Sequence, residues 1–174
     1  MNITFTKLTT PTLEIATSLN KWENDPLLVA FVRPNPTKEA LETRAIVTVE
    51  MLKERLEHNQ VFLIYADGQL VGEMNFQIDP QHLLNKESKS AWIGINIGEA
   101  FARGKGVGTQ AMQYLEKKIQ MQGLKRIELG VFEFNVNAIK LYKKMGYREI
   151  GRIEGFTYWQ GKMWADIRME KRLK

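Results

Sequence analysis

The chain has no cysteine among its 174 residues. That excludes a disulfide framework, a thiolate zinc site and a catalytic thiol. It also fits a reducing compartment, so a cytoplasmic location is the expectation. Histidine is scarce: His58 and His82 stand alone, without metal-ligand spacing, and read as surface residues at a helix end and in a loop. No metal is expected. The serines are Ser18, Ser88 and Ser90, and none lies in a Gly-x-Ser-x-Gly elbow, which sets aside a Ser-His-Asp hydrolase. No apolar run approaches the length of a membrane-spanning helix. The start, Met1-Asn2-Ile3-Thr4-Phe5-Thr6-Lys7, lacks a basic stretch leading into a long apolar one, so no signal peptide is expected.

What is present is globular. Hydrophobic residues make up 44% and charged residues 26%, close to the average for folded domains. The length suits one domain spanning residues 1–174 with a core of its own. Twenty-five basic residues against 20 acidic ones give a net charge of +5. The C-terminal Lys171-Arg172 and Lys174 read as a solvated end, and no aromatic-basic repeat points to RNA. Neither nucleic acid nor a membrane is an expected partner, and homodimerisation stays open. The cations that matter are internal: Arg103 and Lys105, interleaved with glycines.

The periodicities give an order β α α β β β α β α β β. Ile3 to Leu8 reads as a strand. Thr10 as N-cap with Pro11 at the first helical position starts a helix carrying Leu13, Ala16, Leu19 and Trp22. Asn24-Asp25-Pro26 ends it, and Arg33-Pro34-Asn35-Pro36 is a loop. Thr37 to Glu57 is helical in one or two pieces. Val61 to Asp67, an Asp67-Gly68 turn and a long strand to Ile78 form a hairpin. That strand places Leu70, Gly72, Met74, Phe76 and Ile78 on one face, against Val71, Glu73, Asn75 and Gln77. After a polar loop, Ala91 to Ile97 alternates as a third strand. A helix follows from Thr109 to Gln122, then a strand at Ile127–Val131 and a helix from Asn135 to Met145, closed by Gly146. Tyr147–Ile153 and Met163–Glu170 are the last strands, with Trp159-Gln160-Gly161-Lys162 at their turn. The fold class is α+β: a mixed α/β single layer of six or seven mostly antiparallel strands, flanked by helices on both faces.

The chemistry concentrates in Arg103-Gly104-Lys105-Gly106-Val107-Gly108, between a strand and a helix. Glycines permit positive φ and close approach of a ligand. Successive N–H groups then form an anion nest, and the following helix adds the positive end of its dipole. The pattern points to phosphate or pyrophosphate; the competing reading is a tight turn that needs glycine for geometry alone. The Walker pattern fails. The dinucleotide pattern fits Gly106, Gly108 and Ala111, with Glu128 twenty residues beyond Gly108. Against it, the intervening Gly98–Lys105 separates the glycines from their strand, and Glu128 falls inside the next strand pattern.

Two stretches together carry a resemblance. Ile93-Gly94-Ile95-Asn96-Ile97-Gly98-Glu99 with Arg103 to Thr109 resembles the [RQ]-x-x-G-x-[GA] signature of the GNAT N-acetyltransferases. Asn135 to Tyr147 resembles that family's N-x-x-A-x-x-L-Y-x-x-x-G-[FY]. The tail Gly161 to Met169 is similar to the RimJ/RimL-like and spermidine/spermine acetyltransferases. The resemblance implies an acetyl-CoA-dependent N-acetyltransferase. On that basis Arg103, Gly104, Lys105, Gly106, Val107, Gly108 and Thr109 would hold the pyrophosphate. Backbone at Ile95 and Ile97 would pair with the pantetheine arm, where two strands splay apart. Asn135 and Asn137 would lie against acetyl-CoA, Asn135 serving equally as a helix N-cap, and Tyr142 would stand beside the sulfur. The other reading of Tyr142 is a core aromatic on the stripe of Ala138 and Met145. Lys144 reads as solvent-exposed.

With no cysteine or suitably placed serine, direct attack by the acceptor amine on the thioester is the simplest route. Glu73, on the polar face of a central strand, and Glu99 are candidate bases; for each, a solvated or salt-bridged carboxylate is the favoured reading. The acceptor, a small-molecule or peptide amine, is expected near Trp22–Glu57 and Phe156–Lys162, where Trp22, Phe31, Phe156, Tyr158 and Trp159 either line a pocket or pack. A non-catalytic acetyl-CoA-binding module and a dinucleotide-binding protein are the alternatives.

Overall fold

A computed structural model describes residues 1–174. The elements run β1 (Ile3–Lys7), α1 (Leu13–Glu23), α2 (Val29–Val32), α3 (Lys38–Glu42), α4 (Val49–His58), β2 (Gln60–Ala66), β3 (Gln69–Ile78), β4 (Ser90–Ile97), α5 (Val107–Met121), β5 (Arg126–Phe132), α6 (Val136–Lys144), β6 (Arg148–Trp159) and β7 (Lys162–Arg172). All strands join one sheet in the order β1-β2-β3-β4-β5-β7-β6. Only β4 and β5 are parallel; the remaining pairs are antiparallel.

Local chemistry explains most boundaries. α1 is capped by Thr12, whose hydroxyl accepts the Ile15 N–H at 3.3 Å, so the cap lies two residues beyond the expected Thr10 and Pro11 precedes it. Thr37 and Thr48 cap α3 and α4 in the same way. Those two helices are the pieces of the expected Thr37–Glu57 segment, and the four-residue α2 is too short to leave a periodicity. α5 starts at Val107 rather than Thr109, because Gly106, at φ +80°, reverses the chain directly before it. Asp67-Gly68 and Gln160-Gly161, each pair at positive φ, close the β2–β3 and β6–β7 hairpins. β6 runs on past Ile153 to Trp159, broken by two register shifts.

One face of the sheet is apolar. Phe62, Met74, Phe76, Ile93, Ile127, Leu129 and Met169 pack with Met112, Leu115 and Ile119 of α5 in a cluster of 22 buried residues. Smaller clusters on the opposite face join α1 to α4 and pack Leu8 on Val61 and Leu63. The expected alternation of β3 breaks at its start. Gly72 pairs with Ile64 but Leu70 with Tyr65, a bulge that inserts Val71. Val71 is therefore fully buried in the large cluster, and Leu70 packs on the other face.

The second face also hides charge. Arg126 and Glu128 are fully buried and meet at 2.5 Å; Arg126 also meets Glu170 at 2.5 Å. The Glu128 carboxylate accepts the Leu84 N–H at 2.6 Å and the Asn85 N–H at 3.3 Å, which draws the 79–89 loop over the sheet. Arg168 reaches Glu128 at 3.4 Å and Asp166 at 2.8 Å. Enclosed in this way, Glu128 is unavailable to a ribose. No helix is long and apolar enough to cross a membrane.

Candidate active site

The site follows from how β4 and β5 part. They pair only over Ser90–Trp92 and Arg126–Glu128. Farther along, β4 remains paired to β3 as far as Ile97, and β5 to β7 as far as Phe132. The facing edges between them therefore carry no strand partner, and a V-shaped opening lies alongside Ile93–Ile97. Ile95 and Ile97 are half-buried there, with side chains against the large cluster. At this end β4 leads through the glycine segment into α5, and β5 leads into α6. Leu141 Cδ2 lies 3.3 Å from where a Gly108 Cβ would stand, so α6 packs against the start of α5.

Two glycines of the segment take the left-handed backbone that their residue type permits. Gly104 and Gly106 have φ of +69° and +80°, and a Cβ on either would meet open space. Glycine serves the backbone conformation there, not a crowded contact. The first helical hydrogen bond of α5 runs from the Gln110 N–H to the Gly106 carbonyl at 3.1 Å. The amides of Val107, Gly108 and Thr109 precede it and are free to bind an anion. Lys105 is exposed, and Thr109 is half-buried in the first turn. Arg103 folds back instead of projecting: Nε donates to the Ile97 carbonyl at 2.9 Å and Nη2 to the Gly98 carbonyl at 2.6 Å. It ties the segment to the end of β4.

On α6, Asn135 is the N-cap, accepting the Ala138 N–H at 3.4 Å. Asn137 and Lys144 are exposed. Tyr142 is 8% exposed, and its ring lies 5.9 Å from that of Tyr147. Its hydroxyl makes no hydrogen bond within the chain. Burial pushes its pKa up to about 12, so it remains a phenol at neutral pH.

The two candidate bases separate clearly. Glu99 accepts from Lys21 Nζ at 2.7 Å and from Trp22 Nε1 at 2.9 Å. The Lys21 hydrogen bond first, then that of Trp22, holds its pKa below the usual carboxylate value. It is a clasp between α1 and the end of β4, so of the two readings of Glu99 the structure shows the paired carboxylate. Trp22 is part of the same clasp, buried where a Cβ on Gly98 would collide with its ring; it does not line a pocket. Glu73 is half-buried on β3, and burial raises its pKa, opposed by the Asn75 amide 3.5 Å away.

Glu73 and Asn75 line a cavity of about 390 Å³ closed by α1, α4 and β2. A second cavity, of about 480 Å³, lies between the α1–α2 junction, α3 and Trp159. Phe31 meets Phe134 at 5.3 Å and Trp159 at 5.5 Å, and Phe156 meets Phe132 at 6.2 Å. These rings form a wall beyond the end of β5. Tyr158 instead gives its backbone N–H to the Asn35 carbonyl at 2.7 Å. The sequence reading missed Phe132, Phe134, Asn75, Glu23, Arg33 and Arg55. Only Asn75 left a signal, its two-residue spacing from Glu73 on one strand face.

The model of the Acetyltransferase (GNAT) family matches residues 17–147. The chain is 28% identical over 92 residues to the spermine/spermidine N(1)-acetyltransferase of Bacillus subtilis (strain 168), a match covering 52% of this chain and 60% of that one. The match thus spans less than two thirds of that relative. An N-acetyltransferase from Staphylococcus aureus Mu50 superimposes with a TM-score of 0.76 at 18% identity, covering 100% of both chains. The spermidine N-acetyltransferase of Vibrio cholerae, in complex with CoA and spermine, does so with a TM-score of 0.73 at 18% identity, covering 98% of this chain and 95% of that one. These two likenesses establish a shared fold.

Proposed function

The chain belongs to the GNAT acetyltransferase family, and from that premise we propose that it transfers an acetyl group from acetyl-CoA directly to the nitrogen of a primary amine. The observation that carries this reading is the parting of β4 and β5 beside the glycine segment. An unpaired strand edge suits an amide-bearing pantetheine arm at Ile95 and Ile97. The amides of Gly104 to Thr109, at the start of the 15-residue α5, suit a pyrophosphate. Lys105 adds charge from the surface, and Arg103 keeps the segment in shape. Asn135 and Asn137 flank the same end from α6.

Acetyl-CoA supplies an activated acyl carbon. In the transfer a C–N bond forms, the C–S bond breaks, the amine loses a proton and the sulfur gains one. Glu73 is the proposed proton acceptor, its basicity increased by burial. Tyr142 is the proposed donor, because a phenol that stays protonated can give a hydrogen bond or a proton to the departing sulfur. The two stand on opposite faces of the sheet, so deprotonation and protonation are served from opposite sides of the opening.

The test has two arms. Acetyl-CoA at about 100 times its Kd should stabilise the native chain by about 2.7 kcal/mol in thermal unfolding. Gly106→Asp should remove that gain, since a carboxylate would enter the anion nest and a Cβ would strain φ. Equal stabilisation of the variant would falsify the placement of the pyrophosphate. Tyr142→Phe keeps the ring and should lower kcat about 10²-fold with acetyl-CoA affinity little changed. An unchanged kcat, with chemistry rate-limiting, would make Tyr142 a packing residue. Turnover across a panel of amines distinguishes the enzyme from a module that binds acetyl-CoA without reacting.

A further inference from the structure

The cavity of about 390 Å³ between α1, α4, β2 and β3 holds four ionisable side chains: Glu23, Arg33, Arg55 and Glu73. Two of them satisfy each other, with Arg55 Nη1 3.2 Å from Glu23 Oε1. The other two have no opposite charge within ion-pair distance. Arg33 uses Nη2 on the carbonyls of Thr43 at 2.6 Å and Ala40 at 3.5 Å, while its buried Nε has no partner. Glu73 receives only the long Asn75 contact at 3.5 Å. Arg33 also lines the neighbouring cavity, so its guanidinium stands in the wall between the two.

A cation and an anion left unpaired at one partly buried site are unfavourable unless something else completes them. We infer that this cavity is the acceptor pocket and that it takes a small amino-carboxylate, with the ammonium at Glu73 and the carboxylate at Arg33. The inference rests on the acetyltransferase reading above and narrows its acceptor. A polyamine brings positive charge alone and would meet two guanidiniums for two carboxylates, one of which is already engaged. An amino acid brings one charge of each sign, matching the two groups left over. The cavity lies toward the lower end of the ~300–1,000 Å³ range of small-molecule sites, suited to one residue rather than a length of peptide. Glu73 lies directly across from Asn96 of β4 in the sheet register, which sets the cavity one strand away from the opening proposed for the thioester. The raised pKa of Glu73 suits a group that must take the ammonium proton before attack.

The experiment measures CoA thiol release by the full chain with a panel of L-amino acids, each compared with the amine lacking only its carboxylate, and with spermidine. The expected result is a kcat/KM at least about tenfold higher for the best amino acid than for its decarboxylated partner or spermidine, the size of a charge-assisted hydrogen bond. In Arg33→Gln that ratio should fall toward one. Because Arg33 also braces the α2–α3 segment, Arg33→Lys is run beside it and should keep part of the preference. A preference for spermidine or for the decarboxylated amines overturns the inference, as does a ratio unmoved in a folded Arg33→Gln. If no amine at all is acetylated, the acetyltransferase reading has failed instead. The pocket is then judged by thermal unfolding with CoA and the same amino acids: stabilisation lost in Arg33→Gln sustains it, and no stabilisation overturns it.

Discussion

On the α5–α6 side of the sheet, Met74, Phe76, Ile127, Leu129 and Met169 meet Met112, Leu115 and Ile119, all fully buried. On the α1–α4 side the same strands present Glu73, Asn75, Trp92, Arg126, Glu128, Arg168 and Glu170, tied by register to one face. The first side is held by close packing, which is non-directional and tolerant of small changes in shape. The second is held by charges that must be matched individually, because each is removed from water. The difference separates the two proposed roles. The apolar side fixes where α5 and α6 begin, and so where the glycine segment stands. The polar side leaves cavities and unmatched groups, and these are what a ligand can use.

The largest effect should come from breaking the charged side with the smallest change of shape. Glu128→Gln keeps the volume but removes the charge facing Arg126 and Arg168. A loss of about 3–5 kcal/mol is expected in denaturant unfolding, as for one partner taken from a buried ion network. A cost below about 1 kcal/mol would mean the network is solvated in solution and the contrast between the faces overstated. The apolar side should be more forgiving. Ile119→Val, which removes one buried methyl group from α5, should cost about 0.5–1.5 kcal/mol, and a larger loss would show that this face also depends on fine complementarity.

The smallest effect tests Glu73. Its folded pKa is raised by burial, so the native state holds that proton more tightly than the unfolded chain does. The stabilising contribution is present below the unfolded carboxylate pKa and is lost as pH rises through the folded one. Glu73→Gln should therefore gain in Tm relative to the parent at pH 8, and the gain should shrink toward pH 4. A difference independent of pH would mean that Glu73 is fully solvated, which would also weaken its assignment as base and as ammonium partner.

Much of this was legible in the residues. The hairpin at Asp67-Gly68, the alternation of Ile93, Ile95 and Ile97, the stripe of Met112, Leu115 and Ile119, and the glycines before α5 follow from two periods and a few turn residues. Other features were hidden, each for a physical reason. The bulge at Val71 leaves no mark in composition, because either face accepts a valine. Glu128 and Glu170 alternate as a solvated face would, and nothing local shows that the 79–89 loop covers them. Glu99 had the position of a base, but Lys21 and Trp22 come to it from a distant helix.

The sequence by itself therefore determined most of the elements, their order, and the glycine-rich, basic character of the Arg103–Gly108 segment from which anion binding is proposed. These depend on backbone conformation, hydrophobic period and charge within a short stretch of chain. Only the tertiary structure decided which carboxylate is engaged and which is free, which polar strand face is dry, and which charges share a cavity. Those properties depend on side chains brought together from far apart in the chain, and on the water excluded when they meet.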